Sequence, residues 1–222
     1  MNGILILLLL ITVSMLPAVP VFIWFRIQRF GELKFLLAMT SGVLSVLIAA
    51  LIQSLFPSHI PDSMGSLLFY VFVHIALIEE LSRFLCLYLL FRFFSFTRIP
   101  FPNNENETFF GMPSGLAAGV GFAAAETIFY SISDPAIAFH RLFTAVALHS
   151  ACGLRIGAAL GIFKKQPKAA FSMTLTAILI HGMYNFFILN PNYPWFFAGL
   201  IALAALVSSL LNMAQTAKLY KR

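Results

Sequence analysis

Seven residues in this 222-residue chain carry the chemistry: Glu79, Glu80, Arg83, Glu126, His149, His181 and Asn185. All of them stand inside otherwise apolar stretches. Arg83 follows Glu79 by four residues and Glu80 by three, so one helical face can hold a carboxylate–guanidinium pair. One glutamate is then neutralised while the other stays available as a base. His181 and Asn185 are four apart and share a face, as do His149 and Gly153. Two carboxylate sites and two imidazoles suit hydrolysis by an activated water. Glutamate serves as general base, and histidine or a metal lowers the cost of generating hydroxide. Histidine and glutamate are also good zinc ligands, and catalytic zinc commonly keeps three protein ligands and an open position. Asn185 can orient a histidine or donate to an oxyanion. No HExxH is present, so a zincin-type helix is excluded.

The elements that must position these groups are membrane helices. The chain is 60% hydrophobic and only 10% charged, with a mean hydropathy of +0.92. A soluble domain carries about 45–50% apolar and about 25% charged residues, so soluble-enzyme, disordered and nucleic-acid-binding classes are excluded. A helix needs roughly 20 apolar residues to cross the hydrocarbon core. Seven stretches qualify, at about 3–25, 34–56, 67–91, 113–131, 138–162, 169–189 and 194–214, giving an all-α polytopic fold in a single domain over 1–222 with a catalytic core at about 67–190. The first stretch lacks a basic leader and an A-x-A-like site and reads as an uncleaved span. With the loops numbered alternately, one side collects eleven lysines and arginines (Arg26, Arg29, Lys34, Arg92, Arg98, Lys164, Lys165, Lys168, Lys218, Lys221, Arg222) and the other none. The positive-inside rule then sets the N-terminus outside and the C-terminus in the cytoplasm. That asymmetry also accounts for the net charge of +6 without an acidic partner. The longest loop, about 97–112, contains Asn103-Asn104-Glu105-Asn106-Glu107 and reads as a cytoplasmic segment.

A charge at the bilayer centre costs about 2.5–3.5 kcal/mol on the insertion scale, so such residues face a protein interior or a water-filled cavity. Here four consecutive spans place their strongest polar groups at similar depth. Gly111, Gly115 and Gly119 at GxxxG spacing, followed by Gly121 and Ala123-Ala124-Ala125, thin the helix around Glu126 and allow it to reach the histidines. Such a run reads as packing within the chain. His59, His74 and His140 read as helix-packing partners. Cys86 and Cys152 show no CxxC spacing. A Cys152–His149 nucleophile is the weaker reading beside simple packing of a small apolar side chain. Arg141 reads as reaching the outer interface, whereas Arg155 lies deeper and needs a partner.

Four ordered motifs carry a resemblance: Glu79-Glu80-Leu81-Ser82-Arg83, Gly121-Phe122-Ala123-Ala124-Ala125-Glu126, His149-Ser150-Ala151-Cys152-Gly153 and His181-Gly182-Met183-Tyr184-Asn185. The chain resembles the PrsW family of bacterial intramembrane proteases, whose EExxK, FxxxE and two histidine motifs run in the same order. That family is related to the CAAX-prenyl-protease and bacteriocin-processing (CPBP) superfamily. Arg83 replaces the usual lysine, and Asn185 stands where aspartate is frequent; both changes look toward the prenyl-protease relatives. The resemblance implies a multi-pass protease of the bacterial cytoplasmic membrane that makes the first cut in a membrane-anchored anti-sigma factor. It implies Glu79 or Glu80 as water activator, with Arg83 holding the other carboxylate. Glu126, His149 and His181 then bind a metal such as zinc or, in a metal-free mechanism, polarise the water and stabilise the oxyanion with Asn185. The alternatives are a CAAX-type prenyl-protein protease, an ion- or proton-coupled transporter using the same midplane residues, and a non-catalytic scaffold for a partner helix. No inverted repeat supports the transporter.

Overall fold

The computed structural model describes residues 3–56, 60–97 and 107–219. Every regular element among these residues is helical. They are α1 (Gly3–Met15), α2 (Ala18–Ile27), α3 (Glu32–Gln53), α4 (Met64–Phe69), a π-helical segment (Tyr70–Leu77), α5 (Ile78–Thr97), α6 (Glu107–Ser131), α7 (Ala136–Phe143), α8 (Ala145–Ile162), α9 (Pro167–Leu189) and α10 (Phe196–Leu219). Five helices are long and apolar enough to cross a membrane, or six if the α1–α2 pair is one span.

The differences from the expected spans have local causes. The first stretch is bent by 42° between α1 and α2, at Leu16-Pro17, where proline withholds a backbone N–H. The stretch expected at 138–162 is divided at Thr144 (φ −103°, ψ −60°) into α7 and α8. The expected fourth span corresponds to α6, 25 residues long, which is not among the apolar five. Its residues 110–125 are all buried, and a helix covered by other helices has no lipid to match, so glycine and alanine replace leucine. Of the long loop, 98–106 lie outside the described residues, as do Pro57, Ser58 and His59, and α6 already begins at Glu107.

Helices α6 and α8 form the axis of the bundle. Of α8's apolar window 83% is buried, against 22% for α10, so α8 contacts protein where α10 shows leucine to lipid. A Cβ at Gly111, Gly115 or Gly119 would overlap the carbonyl oxygens of Gly157, Gly153 and His149 respectively. The two backbones are therefore in direct contact, as small residues permit. On its other side α6 meets α3, where Gly42 faces the Ala118 carbonyl and Gly121 the Met39 carbonyl. The outer surface is apolar: Leu8, Leu36, Leu47, Leu200, Leu203 and Leu211 are all exposed.

Candidate active site

The axis presents its polar groups at one end. His149 is the fifth residue of α8, and Glu126 lies five residues before the end of α6. At about 1.5 Å per residue, each is within roughly 8 Å of that helix end. Gln53, the last residue of α3, stands at the same end. The lysines between α8 and α9 lie at the opposite end.

Glu79 and Glu80 follow directly on the π-helical segment, a conformation found mostly as short insertions at functional sites. The segment is drawn close to α9 by Gly182, where a Cβ would overlap the Phe72 ring. His181, the residue before that glycine, is thereby brought against both glutamates.

One connected network results. Arg83 Nη1 donates to Glu80 Oε2, and both side chains are fully buried. Glu80 Oε1 accepts from His181 Nδ1 at 2.7 Å. Arg83 Nη2 reaches His149 Nδ1 at 3.0 Å, and His149 Nε2 reaches Glu126 Oε2 at 2.7 Å. Arg141 Nη2 closes the chain by donating to the same oxygen of Glu126. The His149 and His181 rings stand edge to face, 5.0 Å apart. Phe122 covers the network, its ring 4.2 Å from the Arg83 guanidinium carbon and 4.6 Å from the His149 ring.

Donor and acceptor chemistry fixes the tautomers. A guanidinium only donates, so Nδ1 of His149 accepts and its Nε2–H is donated to Glu126. Glu80 takes Arg83 on one oxygen, so its other oxygen accepts the Nδ1–H of His181. In the neutral imidazole this leaves the Nε2 lone pair of His181 facing Glu79 Oε2 at 3.5 Å. Glu79 Oε1 accepts from Gln53 Nε2 at 3.3 Å, while buried Oε2 has no hydrogen-bond donor among the described residues. Two buried acceptors that face each other call for a donor shared between them: a proton, a water or a cation. Asn185 Nδ2, one turn beyond His181, is also buried without a partner among the described residues.

The same residues bear on a metal. Glu79, His149 and His181 offer ligand atoms within 4.8 Å of one another, and all three are buried. Two zinc ligands at about 2.0–2.1 Å in tetrahedral geometry are about 3.4 Å apart, close to the 3.5 Å between His181 Nε2 and Glu79 Oε2. The Nδ1–H of His181 bonded to Glu80 is the second-shell arrangement that orients a ligating histidine. Those two donors fit. His149 has both nitrogens engaged and must release Glu126 or Arg83 to serve as third ligand. Glu126, expected in the ligand set, is held by Arg141 and His149, and Glu79 takes its place in the group of three.

Sequence reasoning missed Gln53 and left Arg141 and Arg155 without partners. Gln53 donates to the His74 carbonyl at 3.3 Å as well as to Glu79, tying α3 to the π-helical segment; its only signal was a polar amide in the last turn of a span. Arg141 lies over the Tyr130 ring at 4.6 Å while it holds Glu126. Arg155 bonds hydroxyls and carbonyls of α8 and α10. Cys152 is buried with its thiol toward the Ala177 carbonyl at 3.5 Å. His140 bonds the Ala136 carbonyl at 3.3 Å, and His74 packs its ring on Phe56 and Tyr70.

A family model described as PrsW family intramembrane metalloprotease matches residues 32–211. That span runs from the start of α3 into α10 and contains every residue of the network. None of the curated proteins and none of the solved structures compared with the chain matches it.

Proposed function

The chain belongs to the PrsW family of intramembrane proteases, and from that premise we propose that Glu79 is the base that activates water for peptide-bond hydrolysis. The observation that carries this reading is the pair of facing acceptors, Glu79 Oε2 and His181 Nε2 at 3.5 Å. A water donating to Glu79 is in place to lose its proton to that carboxylate. The hydroxide attacks the scissile carbonyl carbon, and the oxyanion formed meets the free Asn185 Nδ2–H. Glu79 then returns the proton to the leaving amine as the carbon–nitrogen bond breaks. Glu80 does not share this work: Arg83 and His181 occupy its two oxygens, and it acts by fixing the tautomer and orientation of His181.

In the metal reading Glu79, His181 and His149 would hold a zinc ion, with His149 free of Glu126. The ion supplies a Lewis acid that eases deprotonation of water at neutral pH. Arg141 would keep the Glu126 carboxylate paired in that state.

The substrate we propose is a single-span, membrane-anchored protein of the anti-sigma-factor kind. With the basic loops cytoplasmic, α6 counted as a crossing and the N-terminus outside, a site near the opposite helix ends cuts close to the non-cytoplasmic face. The test is comparative N-terminal proteomics on bacterial membranes expressing wild type or Glu79→Gln. Wild type should add a small set of N-termini near the outer ends of spans. Identical N-termini in both, at equal protein level, would remove Glu79 as the base. A wild-type set confined to the cytoplasmic ends would overturn the placement of the site.

A further inference from the structure

We propose that the α8–α9–α10 cavity around Arg155 is a binding site for a phosphate group, of the kind carried by anionic lipid headgroups. Arg155 lies six residues beyond His149 on α8, toward the end of the bundle that bears Lys164, Lys165 and Lys168. Its Nη1 donates to the Ala151 and Ala205 carbonyls at 3.3 and 3.2 Å and to Ser209 Oγ, and its Nη2 to Ser208 Oγ at 3.1 Å. Every one of these acceptors is neutral. Among the described residues the ion pairs formed by arginine involve Arg26, Arg83 and Arg141, not Arg155. A permanent cation inside a span is thus hydrogen-bonded without being neutralised, which marks an intramembrane site.

The cavity beside it measures about 470 Å³, and apolar side chains of α6, α8 and α9 form part of its walls, as suits a site for an acyl-bearing headgroup. Its polar lining comes from Arg155, from Ser172 and Thr176 on α9, and from Asn212, Gln215 and Thr216 on α10. Their spacings, four on α9 and three and four on α10, put each set on one helical face. The two faces run from the depth of Arg155 to the basic end, so a polar path leads from the headgroup region to the guanidinium. Thr176 and Thr216 donate their hydroxyls to their own helices at 2.8 and 2.9 Å. The Asn212 and Gln215 amides line the same cavity as the guanidinium and supply further donors there. Planar guanidinium and amide donors around one cavity suit a tetrahedral oxyanion, for which arginine gives bidentate recognition. Basic pockets between helices near a membrane surface take lipid headgroups of this kind.

Native mass spectrometry of the full chain in a neutral detergent, doped equally with phosphatidylglycerol and phosphatidylcholine, tests this. Wild type should retain one phosphatidylglycerol in preference to phosphatidylcholine. Arg155→Gln should lower that occupancy by about tenfold, the loss expected of a charge-assisted contact, and Arg155→Lys should restore part of it. Asn212→Leu/Gln215→Leu, which fills the cavity and keeps Arg155, should lower it as well and covers the case in which Arg155→Gln fails to fold. Inorganic phosphate added to the same sample separates the sources: displacement of the lipid at millimolar phosphate assigns the site to the free anion, and persistence assigns it to the headgroup. Equal retention of both lipids by wild type, or unchanged phosphatidylglycerol occupancy in both cavity variants, would overturn the proposal.

Discussion

Arg83 on α5 and Arg155 on α8 are two arginines inside the same bundle, and their surroundings differ in kind. Arg83 is fully buried, paired with Glu80 and bonded to His149, and its charge is balanced within a network that ends on Arg141. Among the described residues Arg155 meets hydroxyls and carbonyls alone, and it borders an open cavity. Breaking a buried pair by removing one partner costs about 3–5 kcal/mol, because the survivor is left as an uncompensated charge. The first region is therefore closed and mutually dependent. The second is incomplete in charge and can accept a guest. One helix supports both, since α8 carries His149 near one end and Arg155 toward the other.

The largest effect should come from a change that removes the support common to both regions. Gly115→Leu drives a side chain into the Gly153 carbonyl. It should abolish the folded protein altogether, read as loss of the monodisperse peak in detergent and of both cleavage and lipid retention. A folded Gly115→Leu variant would show that the two regions do not hang on one seam.

The next effect should fall on the closed region alone. His181→Ala or Glu80→Gln should lower cleavage of a membrane-anchored substrate in proteoliposomes by about 100-fold or more, the scale on which acid–base catalysis fails once the groups that orient it are lost. Phosphatidylglycerol retention should be unchanged. Loss of lipid in these variants would show that the regions are coupled, and full cleavage would take the residue out of the mechanism.

The smallest effect should come from the end of the network. Arg141→Leu leaves Glu79, Glu80 and His181 in contact and removes a partner of Glu126 that is 15% exposed. Cleavage should fall by about tenfold, the loss expected of one charge-assisted contact, with Arg141→Lys recovering most of it because the positive charge beside Glu126 is kept. A kcat loss with KM unchanged would separate positioning of His149 from substrate binding. An undiminished rate would make Arg141 a packing residue.

The closed region was largely visible in the sequence because charged residues inside apolar stretches are rare enough to stand out. Glu79, Glu80, Arg83, Glu126, His149 and His181 announce themselves this way, and the structure brings all six into one network. Gln53 does not, since a neutral amide in the last turn of a span is unremarkable in isolation. Which glutamate pairs with Arg83 was equally hidden: spacings of three and four are both compatible with contact, and the choice rests on His181 arriving from α9. The bundle class was legible from composition, whereas the bend at Leu16-Pro17 and the break at Thr144 depend on neighbouring helices that a hydropathy count does not see. The glycine repeat showed that something approaches α6 closely, yet only the matching Gly153 and Gly157 on α8 say what.

The seam between α6 and α8 also bears on how this chain can change over time. At Gly111, Gly115, Gly153 and Gly157 the space that a side chain would need is occupied by the facing helix's main chain, which cannot adopt another rotamer to make room. A cavity-lining or lipid-facing position can drift among many residue types with small adjustments nearby. These four positions offer an alphabet of one letter. The strictest limits on substitution thus fall on residues that contribute no functional group, and a survey of tolerated variants would draw the α6–α8 line before it drew the catalytic centre.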